Sequence, residues 1–312
     1  MEHNTYADGK RYYSLDSYFK NRYGSKVFKV SLNAGFTCPN IDGTKGFGGC
    51  TYCSSSGSGD FAGNPSESLE TQFKNIVEVM HRKWKNVSLY MPYFQAHTNT
   101  YAPVERLKTI FEPFIGKEGV VGLDIATRSD ALNDEVLEYL SDINNRTDLI
   151  VELGLQSVFD ETGRRINRCM SYGEYLKGYM ALKERGIKVC VHLIDGLPGE
   201  TTEMMLESAR QTAKLLPDFV KLHLLHVIKG TRLADEYERG EFETLSMENY
   251  IDIIIKQLEV FSSETVIARL TGDGKRSELL APLWSLKKFE VLNSIDREME
   301  ARNTFQGRLF EQ

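Results

Sequence analysis

The sequence predicts an α/β protein with a parallel sheet. From about residue 26, six short apolar segments of strand character alternate with segments of helical periodicity, which is typical of parallel strands joined by helical crossovers. Unusual polar residues follow directly after these strands, and sites in such folds gather at the carboxyl ends of the strands. An open doubly wound sheet and an incomplete α/β barrel fit the periodicity equally well.

Six strands are predicted, in the order KVFKVSL, NVSLYMPYF, GVVGLDIAT, DLIVELGL, IKVCVHLI and DFVKLHLLHV. Helices are expected over SESLETQFKNIVEVMHRKW, with Ser66 as its N-cap, over YGEYLKGYMALKERG, closed by Gly186, and over 103–115, 133–143 and 201–215. After about residue 240 the alternation stops, and a helix, a strand at ETVIARL and a final helix are expected. We therefore predict an N-terminal extension at 1–25, a core domain at 26–240 and an appended C-terminal cap at 241–312.

The composition is that of a globular protein. Hydrophobic residues make up 41% and charged residues 26% of the 312 residues, and no stretch approaches the roughly 18 consecutive apolar residues that a membrane span needs. The first residues, MEHNTYADGK, lack the apolar segment of a secretory signal, so a cytoplasmic location is expected. The net charge of −6 argues against a surface that is basic throughout, although it allows a local basic face for nucleic acid.

Three of the five cysteines, Cys38, Cys50 and Cys53, lie in one loop after the first strand. An odd number of cysteines in a reducing compartment indicates a metal or catalysis rather than disulfides. A structural zinc site would need a fourth ligand, and no second cysteine or histidine pair of matching spacing follows. A cubane iron–sulfur cluster on three thiolates would leave one iron open, and the loop glycines would let the chain wrap closely around it. On the residues alone, zinc, inert thiols and a cluster all stay open.

The cysteine loop resembles that of radical S-adenosylmethionine (SAM) enzymes, in which three cysteines hold a [4Fe–4S] cluster and SAM chelates the fourth iron. Most of that superfamily has the spacing C-x3-C-x2-C, and the longer first gap here is similar to the branch that contains the catalytic subunit of Elongator. The motifs VELGLQS, GLPGE and KLHLLHVIKGT resemble the same branch, in the right order and over nearly the whole chain. The closest resemblance is to bacterial Elongator-like radical SAM proteins without the acetyltransferase domain. It implies a partial (β/α)6 barrel with a C-terminal α+β extension.

The resemblance also implies the cofactor ligands. Cys38, Cys50 and Cys53 match the cluster ligands, and Tyr52 matches the aromatic residue beside the adenine of SAM. The other positions implied for SAM are Ala96, His97, Thr98 and Asn99 in place of a glycine-rich turn, Glu152 and Gln156 at the end of strand four, Arg168 for the carboxylate, His192 for the ribose, and Leu225. A purely structural role is the alternative for Glu152, Gln156, Arg168 and His192.

Other residues near these motifs carry separate expectations. Cys169 and Met170 depart from the family pattern, which has a small residue and a histidine there, and Cys190 is expected in the core. Lys221 and His223 share one face of strand six, because side chains alternate along a strand. We predict that they form a cationic catalytic pair facing an anionic substrate, with a salt bridge to a neighbouring acid as the alternative. Further candidates on the substrate side are Arg269, Asp273 and Trp284.

The expected activity is cleavage of SAM to a 5′-deoxyadenosyl radical that removes hydrogen from a substrate, with electrons from an external donor such as flavodoxin or ferredoxin. The resemblance to Elongator implies tRNA as the substrate. We expect removal of the carboxymethyl group from 5-carboxymethylaminomethyl uridine at the wobble position, leaving 5-aminomethyl uridine. A basic rim of Lys10, Arg11, Lys20 and Arg22 would hold the anticodon arm, and Tyr12 and Tyr13 would stack on a splayed base.

Three other functions stay open at this stage. A radical SAM enzyme could act on a small anionic metabolite or a porphyrin. An iron–sulfur protein of electron transfer or sensing would need no SAM and usually has four protein ligands. A zinc-dependent nucleic-acid-binding module would show clustered basic residues, whereas lysine and arginine are scattered along this chain.

Overall fold

The molecule is built around one parallel sheet. The structure is a computed structural model that describes residues 5–57, 59, 61–272 and 274–311. Within these residues the main sheet has seven strands, and each pair of neighbours is parallel. Their order across the sheet is β1 (Val27–Leu32), β2 (Leu89–Phe94), β3 (Gly122–Thr127), β4 (Asp148–Gln156), β5 (Lys188–Asp195), β6 (Phe219–Leu224) and β8 (Val266–Arg269). The six predicted strands are confirmed, and ETVIARL supplies a seventh to the same sheet.

Helices connect the strands and cover the outer face of the sheet. They are α1 (Leu15–Tyr23), α2 (Leu69–His81), α3 (Val104–Phe111), α4 (Asp134–Arg146), α5 (Asp160–Arg165), α6 (Tyr172–Lys183), α7 (Thr202–Lys214), α8 (Arg232–Glu238), α9 (Met247–Val260) and α10 (Lys288–Ala301). Two short strands, β7 (Val227–Ile228) and β9 (Leu279–Ala281), form an antiparallel pair in the C-terminal part. None of these helices has the length and apolar character that would be required to span a bilayer.

Side chains that accept from the first backbone amides begin most of the crossover helices. Asn133 and Thr201 cap α4 and α7, and Ser171 forms a reciprocal capping box with Glu174 at α6. The prediction that Ser66 caps the second helix is wrong: Ser68 accepts from the amide of Thr71 and begins α2.

The sheet is curled into a half-barrel. Strands lie about 4.8 Å apart, so β2 and β6 would be about 19 Å apart in a flat sheet. The ammonium of Lys221 on β6 nevertheless donates to the hydroxyl of Tyr93 on β2 at 3.2 Å. Side chains from distant strands therefore meet inside, and the predicted partial barrel with a C-terminal α+β region is confirmed.

Apolar side chains fill the amino end of the barrel interior. They form one cluster made of Phe19, Val27, Met91, Ile150, Cys190, Phe219 and Val266. The core position predicted for Cys190 is thereby confirmed. Tyr13, Tyr18 and Tyr23 pack against this cluster, so the N-terminal segment closes the amino end of the barrel.

The expected tRNA-binding rim lies in this closing segment, away from the cysteine loop. Arg22 pairs with Asp148, the first residue of β4, at 3.0 Å, which places the rim at the amino ends of the strands. Lys10 and Lys20 pair with Asp296 and Asp16. Tyr12 is only 6% exposed, and the ring of Tyr13 stacks on Tyr6 with centroids 5.0 Å apart. The prediction that Tyr12 and Tyr13 stack on a splayed base is therefore wrong, because Tyr12 is buried and the ring of Tyr13 is already stacked.

The C-terminal residues join both ends of the barrel. The side chain of Gln306 accepts from the amide of Tyr13 at 2.8 Å and donates to the carbonyl of Thr265 at 2.7 Å, next to β8. At the other end, Gln257 on α9 donates to the carboxyl of Asp195, the last residue of β5, at 2.7 Å. The C-terminal region is thus part of the barrel wall.

We predict that Asp195 makes stability depend on pH. Burial raises the pKa of Asp195 to about 8, whereas the unfolded chain titrates near 3.9. The folded state therefore holds a proton that the unfolded state releases, so the contribution of Asp195 to stability is greatest below about pH 4 and is lost as the pH rises towards 8, by about 1.4 kcal/mol per pH unit. Asp195→Asn should remove this dependence, because the neutral amide keeps the contact with Gln257. Urea titrations from pH 5 to 8 measure it, and equal pH slopes in both proteins would contradict the prediction.

Candidate cofactor and substrate site

A cavity of about 750 Å³ opens at the carboxyl ends of the strands. Ligand sites in proteins usually enclose about 300–1,000 Å³, so this one could hold a cofactor and part of a substrate. All three loop cysteines line it together with residues that end strands β2 to β6 and β8. The site residues predicted from sequence that line it are Cys38, Cys50, Tyr52, Cys53, His97, Thr98, Glu152, Gln156, His192, Lys221, His223, Leu225 and Arg269.

The cysteine loop is fixed by amide groups rather than by an apolar core. Asn40 is fully buried, and its amide donates to the carbonyl of Asn167 at 2.6 Å and to Sγ of Cys50 at 3.5 Å. Asn167 in turn donates to the carbonyl of Gly49 at 2.7 Å. Cys169 packs against the loop, since a Cβ on Gly46 would lie 2.6 Å from its Sγ. The segment that departs from the family pattern therefore forms one wall behind the cysteines.

The three loop thiols do not lie as close together as a single zinc ion would hold them. Zn–S bonds of about 2.3 Å hold tetrahedral sulfurs about 3.8 Å apart. Among the described residues, the triplet of potential ligand atoms that all lie within 4.8 Å of one another is Glu152, Cys190 and His192, and the loop thiols form no such triplet. In a four-iron cluster each of the three thiolates would bind a different iron, and the fourth iron would stay open. The Glu152 triplet is no metal site, because two lysines already bind that carboxylate.

An apolar surface lies beside the cysteines. Tyr52 packs with Ile194 and Leu225, and all three line the cavity. Such a surface suits the flat face of a nucleobase, which agrees with the roles predicted for Tyr52 and Leu225. At the end of β4, Gln156 has a positive φ of 64° next to a shift in strand register. That unusual backbone turns the end of the strand towards the cavity.

The predicted turn at 96–99 divides into two parts. His97 and Thr98 line the cavity, whereas Ala96 and Asn99 are fully buried behind it. The amide of Asn99 donates to the carbonyls of Ala96 and Ala126, so it ties the end of β2 to β3. Direct contact of Ala96 and Asn99 with SAM is therefore not supported by their positions.

Arg168 does not face the cavity, so its predicted contact with the carboxylate of SAM is not supported. It is 1% exposed, and its guanidinium donates to the carbonyls of Leu155, Ser157 and Met170 at 2.6–2.8 Å. Its role is to hold the end of β4 in place. Arg128, after β3, lines the cavity instead, held by Asp130 at 2.8 Å with its charge beside Cys38 and Cys50. Arg128 is not among the site residues predicted from the sequence.

A layer of ionic side chains separates the cavity from the apolar amino end. At its centre the carboxylate of Glu152, 1% exposed, accepts from four side chains on four other strands. They are Lys29 at 2.8 Å, Tyr93 at 2.6 Å, His192 at 2.9 Å and Lys221 at 2.5 Å. Lys29 also pairs with Asp124 on β3. Glu152 is thus the centre of a network and not a free cofactor ligand.

The network sets the charges of the groups around the cavity. Burial alone would raise the pKa of Glu152, but the charges of Lys221 and Lys29 outweigh it and hold the pKa well below its usual value. Burial, reinforced by the charge of Lys221, lowers the pKa of His192 to about 4. Burial and the neighbouring cations also hold the pKa of His223 well below its usual value. Both histidines are therefore neutral at pH 7, and the carboxylate leaves His192 donating through Nε2.

The prediction that Lys221 and His223 form a cationic pair is therefore wrong. Lys221 is 4% exposed and neutralised by Glu152, as the salt-bridge alternative stated, and His223 is neutral. Of the other substrate candidates, Trp284 packs on Tyr250 and donates to the carbonyl of Leu245 at 3.0 Å, so it has a structural role. Arg269 lines the cavity. Asp273 lies outside the described residues.

We predict that Glu152→Gln destabilises the protein far more than Tyr93→Phe. The amide would leave two buried ammonium groups facing Asp124 alone, and removing one partner of a buried ion pair costs about 3–5 kcal/mol. Tyr93→Phe removes one hydrogen bond to a carboxylate that keeps its lysines, which costs about 1–2 kcal/mol. Denaturant titrations of both variants under anaerobic conditions give the two free energies of unfolding. Similar losses would show that Glu152 is not the centre of the network.

The chain matches two protein-family models and several known proteins. The chain matches the Radical SAM superfamily over residues 43–212 and the Radical_SAM C-terminal domain over residues 217–301. It is 47% identical over 302 residues to an uncharacterised protein of Bacillus subtilis, YtqA, which covers 97% of this chain and 94% of that protein. It is also 33% identical over 141 residues to the tRNA uridine(34) acetyltransferase of Methanocaldococcus infernus, covering 44% of this chain and 26% of that protein.

Among solved structures, the archaeal Elp3 of Methanocaldococcus infernus with an N-terminal deletion has the same fold. The TM-score is 0.67 at 19% identity, over 90% of this chain and 64% of that one. The Elongator-like relationship predicted from the motifs is thereby confirmed, for a part of those longer proteins. The chain belongs to the radical SAM superfamily, whose cofactors are the two that the resemblance implied, a [4Fe–4S] cluster and SAM.

Proposed function

We propose that the protein is a radical SAM enzyme that acts on tRNA and removes the carboxymethyl group from 5-carboxymethylaminomethyl uridine at the wobble position. The observation that carries the proposal is the single cavity in which the three loop thiols, an apolar wall and polar strand ends face one another. The similarity to a tRNA uridine(34) acetyltransferase supports a wobble uridine as the target. It covers 26% of that enzyme, so a different reaction on the same base is consistent with it.

Within the cavity, Cys38, Cys50 and Cys53 would hold the cluster, and Tyr52 with Leu225 would contact the adenine of SAM. The bound cluster and SAM together supply an electron and a 5′-deoxyadenosyl radical that removes a hydrogen atom from the substrate. The protein itself orients the groups and excludes water. The apolar cluster and the Glu152 network close the cavity towards the amino end, so a reactive species would meet side chains and substrate there rather than bulk solvent.

The proposed reaction balances without a further oxidant. The carboxymethyl carbon next to the amine nitrogen would lose a hydrogen atom to the 5′-deoxyadenosyl radical and then a second electron, which the oxidised cluster would accept. Water would hydrolyse the resulting C=N bond and release glyoxylate from the aminomethyl nitrogen. In total, carboxymethylaminomethyl uridine, SAM and water give aminomethyl uridine, glyoxylate, methionine, 5′-deoxyadenosine and one proton. An external donor, for which flavodoxin or ferredoxin is the expectation, would supply the first electron that reduces the cluster, and the electron from the substrate would restore the reduced cluster after each turnover.

The mouth of the cavity suits a large substrate. Ile41 and Phe61 line it and are solvent-exposed, and Phe47 is exposed nearby in the same loop. Exposed apolar groups at a site are a platform on which an unstacked base can lie. The anticodon arm would therefore approach from the cysteine-loop side, and not along the N-terminal rim, which lies at the other end of the barrel.

We predict that Cys50→Ala abolishes the cluster, while Cys190→Ala keeps it. Anaerobic reconstitution should give about four irons per chain in the wild type and in Cys190→Ala, because Cys190 lies in the apolar cluster away from the loop. Cys50→Ala should lose the cluster absorbance and form no 5′-deoxyadenosine. Iron analysis and chromatography of the SAM products measure both effects. A wild-type protein that binds one zinc ion and leaves SAM intact would refute the hypothesis that the protein cleaves SAM to a radical.

The substrate is tested with tRNA from cells that lack this protein. The reduced holoenzyme and SAM should convert carboxymethylaminomethyl uridine to aminomethyl uridine, with glyoxylate and 5′-deoxyadenosine formed in equal amounts. Mass spectrometry of the nucleosides measures the conversion. Unchanged nucleoside from a preparation that cleaves SAM would refute the tRNA assignment and leave a small anionic substrate as the alternative.

A further inference from the structure

We infer that Arg269 binds an anionic oxygen group of the substrate, a carboxylate or a phosphate, inside the cavity. The inference rests on the proposed function for the identity of that group, which would be the carboxylate of the side chain that is removed. Arg269 takes the role predicted for Lys221 and His223, because Lys221 is already paired with Glu152 and His223 is neutral.

Arg269 occupies a position that the C-terminal strand creates. It is the last residue of β8, it lies opposite Lys221 in the register of β6 and β8, and it is half-buried. Its guanidinium lines the same cavity as the three loop cysteines. Its charge also contributes to the lowered pKa of His223, which shows that the guanidinium lies within electrostatic reach of the barrel interior.

The charge of Arg269 has no partner in the described part of the chain, where no hydrogen bond or ion pair joins its side chain. Three other cations of the cavity face a carboxylate: Arg128 faces Asp130 at 2.8 Å, Lys221 faces Glu152 at 2.5 Å and Lys275 faces Glu278 at 3.6 Å. In the ionic layer, Lys29, Lys221 and Arg269 stand against the two carboxyl groups of Glu152 and Asp124. The layer therefore carries an excess positive charge, which an anion would complete.

A second unsatisfied group lies beside it. Nε2 of His223 is buried without a hydrogen-bond partner among the described residues, and His223 lines the same cavity. A buried polar atom left unpaired is costly, so a polar ligand there would be stabilising. The guanidinium offers a planar fork that fits two oxygens of one carboxylate or phosphate. Together, a cationic fork and a neutral imidazole can bind an oxyanion and an adjacent polar atom.

The first test does not depend on tRNA. Phenylglyoxal modifies accessible arginines, and we expect it to modify Arg269 in the cluster-loaded, SAM-bound protein. N-methylglycine, which carries the aminoacetate end of the proposed side chain, should protect Arg269 at least fivefold, whereas its methyl ester should not. Exposed Arg239 should be modified equally in all samples and serves as the internal control. Peptide mass spectrometry measures the modification. If neither N-methylglycine nor inorganic phosphate protects Arg269, the inference is overturned, whatever tRNA does.

The second test identifies the source of the anion. An anticodon stem-loop with carboxymethylaminomethyl uridine should bind the holoenzyme about 10- to 100-fold more weakly in Arg269→Gln, the range expected for losing one charge-assisted pair. The stem-loop with the methyl ester should bind both proteins equally weakly, and Arg269→Lys should recover part of the loss. Equal weakening of both stem-loops would assign a backbone phosphate instead. The inference would be overturned if Arg269→Gln left the RNA affinity unchanged, or if it changed only the concentration of SAM that the holoenzyme requires.

Discussion

The carboxylate of Glu152 organises the interior of this barrel. Two ammonium groups, a phenol and an imidazole converge on it from four other strands, and a low-dielectric environment makes each of these contacts strong and each missing partner costly. The network exists because the sheet is curled, and its contacts in turn hold the curl in place. The protonation states of the groups that face the cavity follow from it.

The barrel interior is therefore divided into three levels. Apolar side chains fill the amino end, the ionic layer covers them, and the cavity with the cysteine loop lies above. This order places polar groups, most of them paired with one another, between the cavity and the apolar amino end. Among the described residues such a floor leaves Arg269 as an unpaired cation, and it puts side chains rather than bulk solvent beneath an intermediate that would react with the first hydrogen donor it meets.

The elements and the cysteine loop could be predicted from local patterns. Apolar runs, N-caps and the spacing of three cysteines are each determined by residues close together in the sequence. The error at Ser66 moved the predicted start of one helix by only two positions. Contacts between strands could not be predicted in the same way. No local signal shows that Arg168 donates to strand-end carbonyls, that Lys221 pairs with Glu152, or that β8 pairs with β6. These depend on register and curl, so the charges of the site residues were the least predictable feature.

The contacts of Gln306 have a consequence for how the chain folds. This one side chain joins the amide of Tyr13 to the carbonyl of Thr265, across a separation of 293 residues in the first case. This contact of the N-terminal segment cannot form until residues near position 306 have left the ribosome, whereas the pair of Arg22 with Asp148 can form earlier. Contacts of such sequence separation carry a large loop-closure entropy and form late. The cover over the apolar amino end of the half-barrel is therefore completed late, and until then part of that apolar surface is open to contacts between chains.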